Sequence, residues 1–310
     1  VVCGLPGDCY FRLLPMVTTL PRPVQLKLQQ TLAQWQHWQL PALLPERPTV
    51  VTLLGDGLSN YSVQVASGGL HFVVRIDGII PSQHGLNRQL EWRALSNAAA
   101  AGLAPTPRYF NPDLGTLVCD FLPPDACQNQ EPAVVAELAR AIHQLPALHH
   151  RLDLRERLSR YEKQALQQAH PALRQIMQYQ HSIGWLLADL ETRKGAPVCC
   201  HNDLLAPNRL RSGDRLWALD WEYCAMGSPW FELAVISCGE NYAPRNNQAL
   251  ASAYLLRMPT AQELADFAAY RCVYRYLEIL WYLRGEASPD AADIDNRMAA
   301  LVLGLGEAGA

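Results

Sequence analysis

The sequence predicts an α+β fold built as two lobes, a small lobe rich in β-strands followed by a larger helical lobe. Two observations lead to this prediction. Short apolar segments with alternating polarity, separated by turns that contain Gly, Ser and Asn, occupy residues 50–122. From residue 132 onward, the apolar positions instead follow the period of amphipathic helices. A chain of 310 residues is long enough to give each lobe its own core.

The small lobe is predicted to contain five strands and one helix, and an N-terminal helical extension precedes it. In the Pro-rich residues 1–49, an amphipathic helix is expected from Val24 to Leu40, and its apolar positions are Leu26, Leu28, Leu32, Trp35 and Trp38. An Ala-rich helix is expected at 87–101, ended by Gly102. The expected strands are 50–54, 61–65, 71–76, 108–110 and 116–122, of which the first three form an antiparallel meander.

The larger lobe is predicted to be mostly helical. Its expected helices are 132–148, about 158–191, and 261–284, and a polar motif segment lies between the last two. The predicted domain boundaries are therefore a helical extension at 1–49, a first lobe at 50–122 and a second lobe at 123–310.

Composition weighs against several classes of function. The net charge of −3 argues against a nucleic-acid partner. Acidic residues outnumber basic ones in residues 221–310, which would suit a cationic ligand, although on charge alone a solvated acidic surface is the favoured explanation. No apolar run is long enough for a membrane span, and the first residues lack the charged region of a signal peptide. The nine cysteines are scattered and form no CxxC pair, so we expect reduced thiols and a cytoplasmic protein. The sequence indicates no oligomeric state.

Two short segments carry the candidate chemistry, residues 201–208 and residues 219–223. Asp203 is the candidate base that accepts a proton from an attacking hydroxyl group. Asn208 and Asp220 are the candidate ligands of a Mg²⁺ ion on the phosphates of a nucleotide. His201 completes an HxDxxxxN pattern that is typical of the kinase catalytic loop, where we expect it to stabilise the loop by hydrogen bonding. The pattern predicts phosphoryl transfer that depends on ATP and Mg²⁺.

The first lobe offers candidate contacts to the nucleotide phosphates. Arg75 ends a predicted strand at the position where a kinase fold carries a phosphate-binding cation, and Glu91 on the next helix is its expected partner. Ser59 and Asn60 lie in a turn that could cover the phosphates. The turn lacks a GxGxxG pattern, so a plain hairpin is equally consistent with it.

With these residues in place, the chain resembles the aminoglycoside phosphotransferase / choline kinase superfamily, and within it the bacterial choline kinase-like and thiamine kinase-like proteins. The resemblance covers about residues 50–285. It rests on residues 201–208, 220–223 and 227–234, and weaker matches occur at 57–60, 72–75 and 102–105.

The resemblance implies a bilobal protein kinase-like fold and an enzyme that transfers the γ-phosphate of ATP to a hydroxyl group of a small molecule. It also implies that residues 119–124 form the hinge that holds the adenine, with Asp120, Phe121 and Leu122 as contacts. The chain departs from the family at Glu232, where Asp is frequent. Arg75 replaces the Lys of other branches and fits the choline and thiamine branch.

The acceptor is expected to be a cationic alcohol such as choline, ethanolamine or thiamine. Choline kinases bind a quaternary ammonium group in an aromatic cage, where each ring contributes about 0.5–2 kcal/mol. The candidate cage residues are Glu222, Tyr223, Trp230, Tyr274, Glu278 and Trp281, of which the last three share one helix face with Tyr270 and Leu277. Core packing explains this aromatic face equally well. An aminoglycoside acceptor and an inactive nucleotide-binding protein are the alternatives.

Overall fold

The computed structural model of the chain describes residues 20–56, 60–79, 81, 85–128, 130–193, 195–285 and 291–308. These residues form two compact units. The first unit contains the chain up to Gly85 together with Pro107–Phe121, and the second contains Leu86–Thr106 and Leu122–Ala310.

The first unit is a five-stranded antiparallel sheet with one helix packed on it. All five predicted strands are present, and the strand order is β1-β2-β3-β5-β4. Strands β2 and β3 pair in register over their full length, from Asn60 opposite Asp77 to Ser67 opposite Leu70. The elements are α1 (Arg22–Ala33), β1 (Thr49–Asp56), β2 (Asn60–Ser67), β3 (Leu70–Asp77), β4 (Pro107–Asn111) and β5 (Thr116–Asp120).

Helix α1 covers the sheet with an apolar face that includes Leu28 and Leu32. The prediction of one helix from Val24 to Leu40 was wrong at both ends, because the α-helix starts at Arg22 and stops at Ala33. A short 3₁₀ turn follows it, and the peptide N–H of Gln39 then donates to the Arg108 carbonyl at 2.6 Å, which draws the chain along β4. Leu26, predicted on the apolar face, is half exposed (51%).

The second unit is mainly helical and contains two short antiparallel strand pairs. Strand β6 (Val198–Cys200) pairs with β9 (Ala225–Gly227), and β7 (Arg209–Ser212) pairs with β8 (Arg215–Ala218). The helices are α2 (Arg88–Ala100), α3 (Pro132–Ile142), α4 (Leu154–Gln168), α5 (Leu173–Met177), α6 (Gln180–Thr192), α7 (Pro229–Gly239), α8 (Pro244–Leu255), α9 (Ala261–Leu283) and α10 (Ala291–Ala308).

The helix predicted at 261–284 is confirmed as α9, and the other helical predictions for this lobe were wrong in part. The single helix expected at 158–191 is three helices, because Ala169 adopts a left-handed conformation (φ 50°) and Pro171 disfavours helix at the residue before it. Helix α3 ends at Ile142 rather than residue 148. Helices α7, α8 and α10 were not predicted. Helix α9 is the buried centre of this unit and packs against α4, α6, α7 and α10.

Helix α2 belongs to the second unit, although it follows β3 in the sequence. Asn87 caps it by accepting hydrogen bonds from the peptide N–H groups of Gln89 and Leu90. The helix packs on the 3₁₀ turn Trp221–Tyr223. The predicted boundaries differ from the units in this helix, which they placed in the first lobe, and in the extension 1–49, which they separated from the sheet.

No helix within the described ranges is long and apolar enough to cross a membrane.

Candidate active site

A buried carboxylate fixes the catalytic loop, residues 201–208. The peptide N–H groups of His201 and Asn202 donate to the two oxygens of Glu232 at 2.9 and 2.7 Å. Nε2 of His143 lies 3.0 Å from the same carboxylate, which has no exposed surface. Burial opposes the charge on Glu232, yet its contacts with His143 and His201 hold its pKa below the ordinary value. A charged acceptor inside α7 therefore sets the backbone of the loop.

The same region contains three buried groups with the composition of a metal site. Ligand atoms of His143, Cys200 and Glu232 lie within 4.8 Å of one another. Nδ1 of His143 is hydrogen-bonded to the Tyr254 hydroxyl at 2.8 Å, and Cys200 Sγ lies 3.7 Å from the Ser228 carbonyl oxygen. Burial raises the pKa of the Cys200 thiol well above its ordinary value, which keeps the thiol protonated. Each of the three groups already has a partner in the protein: His143 contacts Glu232 and Tyr254, and the Cys200 thiol contacts backbone carbonyls, which favours a structural cluster over a metal centre.

Residues 219–223, the second motif segment, are tied to the catalytic loop through Leu219. Its peptide N–H donates to the Asn208 carbonyl, and its own carbonyl accepts a hydrogen bond from His201 Nε2, both at 2.8 Å. Burial lowers the pKa of His201, so the imidazole is neutral with its proton on Nε2. Its ring packs on Trp221 at 4.8 Å between centroids. This position agrees with the loop-stabilising role expected for His201.

The structure brings Asp203, Asn208 and Asp220 into one acidic cluster. Nδ2 of Asn208 donates to the carbonyl and to Oδ2 of Asp203, both at 2.8 Å. Burial raises the pKa of Asp203 well above its ordinary value, and the negative charges of Asp220 and Glu222 raise it further. Asp220 has a left-handed backbone (φ 58°), which Asp adopts more readily than most side chains. Two carboxylates thus repel each other in a desolvated site.

This donor set fits a magnesium ion. Asn208 uses its amide nitrogen toward Asp203, which leaves its oxygen for another contact. Carboxylate and amide oxygens are ligands of hard divalent cations. A bound cation would also relieve the repulsion between Asp203 and Asp220. The residues that would hold Mg²⁺ are Asn208 and Asp220.

Helix α2 contributes an arginine that links two of the candidate site residues. Nη1 of Arg88 lies 2.8 Å from Glu91 Oε2 and 2.8 Å from Glu222 Oε2, and all three side chains are buried. Glu222, predicted as an acceptor contact, therefore takes part in an ion pair on the α2 side of the second motif segment.

The charge of Asp203 acts on three phenols. Burial raises the pKa values of Tyr223, Tyr274 and Tyr282, and the charge of Asp203 adds to the shift in each case. Glu278 acts in the same direction on Tyr274 and Tyr282. The candidate base therefore lies within electrostatic range of Tyr274, a predicted aromatic residue of α9, and of Tyr282, a residue absent from the sequence prediction.

Glu278 makes its ion pair through one carboxylate oxygen, Oε1. Arg297 of α10 lies 2.5 Å from Oε1 of Glu278 and 3.1 Å from Asp293, and its guanidinium group covers the Tyr282 ring at 4.6 Å. Oε2 of Glu278 is buried and has no hydrogen-bond partner within the described ranges. Burial raises the pKa of Glu278, while Arg297 opposes the shift. Trp281 packs edge-on against Tyr282 at 5.1 Å.

Trp230 lies elsewhere on the second unit. Its ring packs on Phe267 at 6.0 Å, at least one turn of α9 before Tyr274. It lines a small surface pocket together with Arg193, Asp266 and other residues of α6 and α9. The structure does not bring Trp230 together with the phenols around Asp203.

The predicted phosphate contacts of the first unit lie on its central strands. Arg75 is in β3, opposite Ser62 of β2 and Leu117 of β5. Asn60 is buried at the start of β2, opposite Asp77. Ser59 lies outside the described residues. The roles of these residues in nucleotide binding stay predictions.

The predicted adenine hinge follows β5. Both carboxylate oxygens of Asp120 accept hydrogen bonds from Arg108 of β4, each at 2.7 Å. The peptide N–H of Phe121 donates to the His71 carbonyl at 3.0 Å, and Leu122 comes next in the chain. The side chain of Asp120 is thus engaged within the sheet, and the adenine contact stays a prediction.

The sequence interpretation missed several residues that define the site. They are Arg88, His143, Arg157, Tyr282 and Arg297. One signal was available: Arg157 and Tyr161 occupy adjacent turns on the buried face of α4. His143 and Arg297 carry no local pattern, because their partners are distant in the sequence.

Comparison with known proteins identifies the family and the fold of the chain. A model of the Phosphotransferase enzyme family matches residues 50–273. Protein LicA homolog from Mycoplasma capricolum is 22% identical over 242 residues, which cover 73% of this chain and 91% of that protein.

Solved structures with the same fold include two choline kinases. Choline kinase LicA from Streptococcus pneumoniae matches with a TM-score of 0.67 and 23% identity, covering 84% of this chain and 94% of that chain. Choline kinase from Cryptosporidium parvum matches with a TM-score of 0.71 and 15% identity, covering 90% and 96%. These similarities confirm the predicted kinase-like fold.

Proposed function

Because the chain belongs to the phosphotransferase enzyme family, we propose that it transfers the γ-phosphoryl group of ATP to the hydroxyl group of a small cationic alcohol of the choline, ethanolamine or thiamine type. The catalytic loop and the second motif segment supply the chemistry, and the aromatic residues around Glu278 supply the recognition of the acceptor.

In the proposed reaction, Asp203 orients the acceptor hydroxyl group and takes its proton. The hydroxyl oxygen forms a bond to the γ-phosphorus, the bond from that phosphorus to the β–γ bridging oxygen breaks, and ADP leaves. Magnesium, held by Asn208 and Asp220, would neutralise phosphate charge. Glu232 and His201 keep the loop in the required conformation through the hydrogen bonds described above.

The nucleotide contacts of this proposal are those predicted from the sequence. Arg75 and the turn with Ser59 and Asn60 are proposed to contact the phosphates, and the hinge of Asp120, Phe121 and Leu122 to contact the adenine. Glu91 is proposed to support the phosphate-binding cation.

One observation carries the choice of a cationic acceptor, the unpartnered oxygen of Glu278. A buried carboxylate oxygen without a hydrogen bond is unfavourable, and an ammonium group would satisfy it. Tyr274, which shares its electrostatic environment, is proposed to offer a ring face to the same cation, whereas the Tyr282 ring is already covered by Arg297. Two of the similar solved structures carry choline kinase in their names, which supports this class of acceptor.

The test is an assay of ADP release across choline, ethanolamine, thiamine and an aminoglycoside, with 3,3-dimethylbutan-1-ol as the neutral isostere of choline. We expect turnover with at least one cationic alcohol, and a KM for choline that is about 10-fold or more below that of the isostere. ADP release that never exceeds hydrolysis by water, or equal use of the neutral isostere, would refute the proposal.

The variant Glu278→Gln tests whether this carboxylate recognises the cationic group of the acceptor. It should raise the KM for the cationic acceptor about 10-fold while leaving the KM for ATP and the use of the neutral isostere unchanged. Asp293→Asn is the matched control, because Asp293 also pairs with Arg297 but is more exposed. Equal effects of the two substitutions would assign Glu278 a structural role.

A further inference from the structure

Arg157 is a buried cation on helix α4. It lies on the face of the helix that also buries Tyr161 and Ala165, one and two turns further on. Only 9% of its surface is exposed. Its guanidinium group donates no hydrogen bond to any described residue, and no carboxylate oxygen of the described residues lies within 4.0 Å of it.

The other two arginines of α4 are more exposed, and both form ion pairs. Arg155 pairs with Glu191, and Arg160 pairs with Glu156 one turn away. Their side chains are 46% and 28% exposed. The most buried arginine of α4 is therefore the one without an ion pair in the described part of the chain, although exposed arginines need partners least.

A buried guanidinium group requires a compensating charge. The ring of Tyr223, 5.3 Å from the guanidinium carbon, offsets part of the desolvation cost. A ring face is a weaker partner than an anion, and a buried cation without an anion is strongly unfavourable. The charge of Arg157 acts on Asp203, so the guanidinium group lies near the point where the acceptor hydroxyl group is expected. The missing partner is an anion next to the candidate base.

We propose that Arg157 binds the oxygens of the γ-phosphoryl group during its transfer to the acceptor. This rests on the proposed function, in which the acceptor oxygen bonds to the γ-phosphorus, its proton passes to Asp203 and ADP departs. Arg157 contributes planar N–H donors to the equatorial oxygens and takes no proton, because its guanidinium group stays charged.

The phosphoryl group is a better match than an anionic group on the acceptor. The acceptor side already presents a carboxylate with a free oxygen at Glu278, which repels an anion. The guanidinium group of Arg157 lies over the ring of Tyr223, and the charge of Asp203 acts on the same phenol. A phosphoryl group that meets a hydroxyl group at Asp203 would therefore lie within the electrostatic field of Arg157.

Kinetics of Arg157→Ala and Arg157→Lys test this assignment. We expect kcat to fall about 100-fold or more in Arg157→Ala, with the KM values for ATP and acceptor within about threefold of the wild type. Guanidinium chloride, well below the concentrations that unfold the protein, should restore part of the lost kcat, and urea at the same concentration should not. Arg155→Ala, on the exposed side of the same helix, should behave as the wild type.

A binding measurement without acceptor complements the kinetics. Beryllium fluoride added to Mg²⁺ and ADP supplies an anion of the size of the γ-phosphoryl group. It should raise the melting temperature of the wild type above the value with ADP alone, and this increment should be lost in Arg157→Ala. If Arg157→Ala raised only the KM for the acceptor, the anion that Arg157 binds would belong to the acceptor. If kcat fell and guanidinium did not restore it, Arg157 would have a structural role. Either result overturns the assignment.

The two proposals fail in different ways. A wild type that releases ADP with a cationic alcohol while Arg157→Ala keeps its kcat would overturn only the role of Arg157. A wild type that is not stabilised by nucleotide would overturn the proposed function and the role of Arg157 together.

Discussion

The catalytic loop and the acceptor side of the second unit differ in how their buried polar groups are satisfied. In the loop, Glu232 receives two peptide N–H groups and contacts His143, and the His201 imidazole donates to a carbonyl. On the acceptor side, Glu278 has one oxygen without a hydrogen bond, and Arg157, assigned above to the phosphoryl group, has no ion pair, as far as the described residues show. Both regions are buried, but the charged groups differ: the Glu232 carboxylate has partners on both oxygens, whereas Arg157 and Glu278 are incompletely paired. The neutral atoms His201 Nδ1 and Asn202 Oδ1 of the loop also lack a hydrogen-bond partner among the described residues.

The difference separates two uses of buried charge. A charge surrounded by partners from its own chain stabilises one conformation of the backbone. A charge that lacks such a partner costs stability until a ligand supplies one, which is typical of binding sites. Substitution of Glu232 should therefore reduce stability, and substitution of a buried charge without a full set of partners, as at Asp203, Arg157 or Glu278, should reduce function at little or no cost in stability.

Asp203→Ala should give the largest effect on turnover. Without the base, kcat is expected to fall about 10²–10⁴-fold, while the rise in melting temperature caused by Mg²⁺ and ATP persists. Removal of one of two repelling carboxylates should leave the free energy of unfolding unchanged or higher. Asp113→Ala, in an exposed turn of the first unit, is the control. Turnover equal to that of the wild type would remove Asp203 from the reaction.

Glu232→Ala should give the largest effect on stability. It leaves the peptide N–H groups of His201 and Asn202 buried without an acceptor, at about 1–3 kcal/mol each. Urea unfolding should therefore show a loss of about 3 kcal/mol, whereas Glu137→Ala on the exposed face of α3 should change the value by less than about 0.5 kcal/mol. Glu232→Asp keeps the charge and should recover part of the loss. A fully stable Glu232→Ala variant would erase the contrast between the two regions.

Glu278→Gln should give a smaller effect that depends on pH. The pKa of Glu278 is higher in the folded protein than in the unfolded chain, where it is about 4.3. The protonated carboxyl group therefore favours the folded state at low pH, and this stabilisation is lost as the pH rises through the folded pKa. Glutamine does not ionise. The free energy of unfolding of Glu278→Gln should therefore increase relative to the wild type from about pH 4 to about pH 7.

Urea titrations at several pH values measure this difference, and saturating choline should reduce it by stabilising the charged carboxylate. A difference that shrinks as the pH rises would show that Arg297 already satisfies Glu278, and the acceptor side would then resemble the loop.

The sequence was sufficient for the parts of the site that are local. Asp203 and Asn208 are five residues apart and share a hydrogen bond, so the HxDxxxxN pattern already contains their geometry. The five strands were also predictable, because alternation of apolar residues reports directly on a sheet with one buried face. The Ala169 break in the long helix was not, because nothing in the apolar period marks one residue with a left-handed backbone.

The remaining site residues depend on tertiary packing. Glu222, predicted as an acceptor contact, pairs with Arg88 of α2, which lies 134 positions away in the sequence, and this pairing could not be read from the motif. Trp230 follows the second motif segment closely in the sequence, yet the start of α7 directs it to Phe267. Arg157 is hidden among charged residues of α4, and only its burial distinguishes it from Arg155 and Arg160.

Because α2 belongs to the helical unit, it limits which segments of the chain can be exchanged with a related protein. The chain passes between the units after Gly85, after Thr106 and after Phe121. A chimaera that exchanges the whole segment before residue 122 with a relative would replace Arg88 while retaining Glu222, its ion-pair partner. Grafts that leave residues 86–106 in place keep that pair intact. During synthesis, α2 leaves the ribosome more than one hundred residues before the turn on which it packs. Arg88 can therefore form its ion pair with Glu222 only after that later part of the chain has been made.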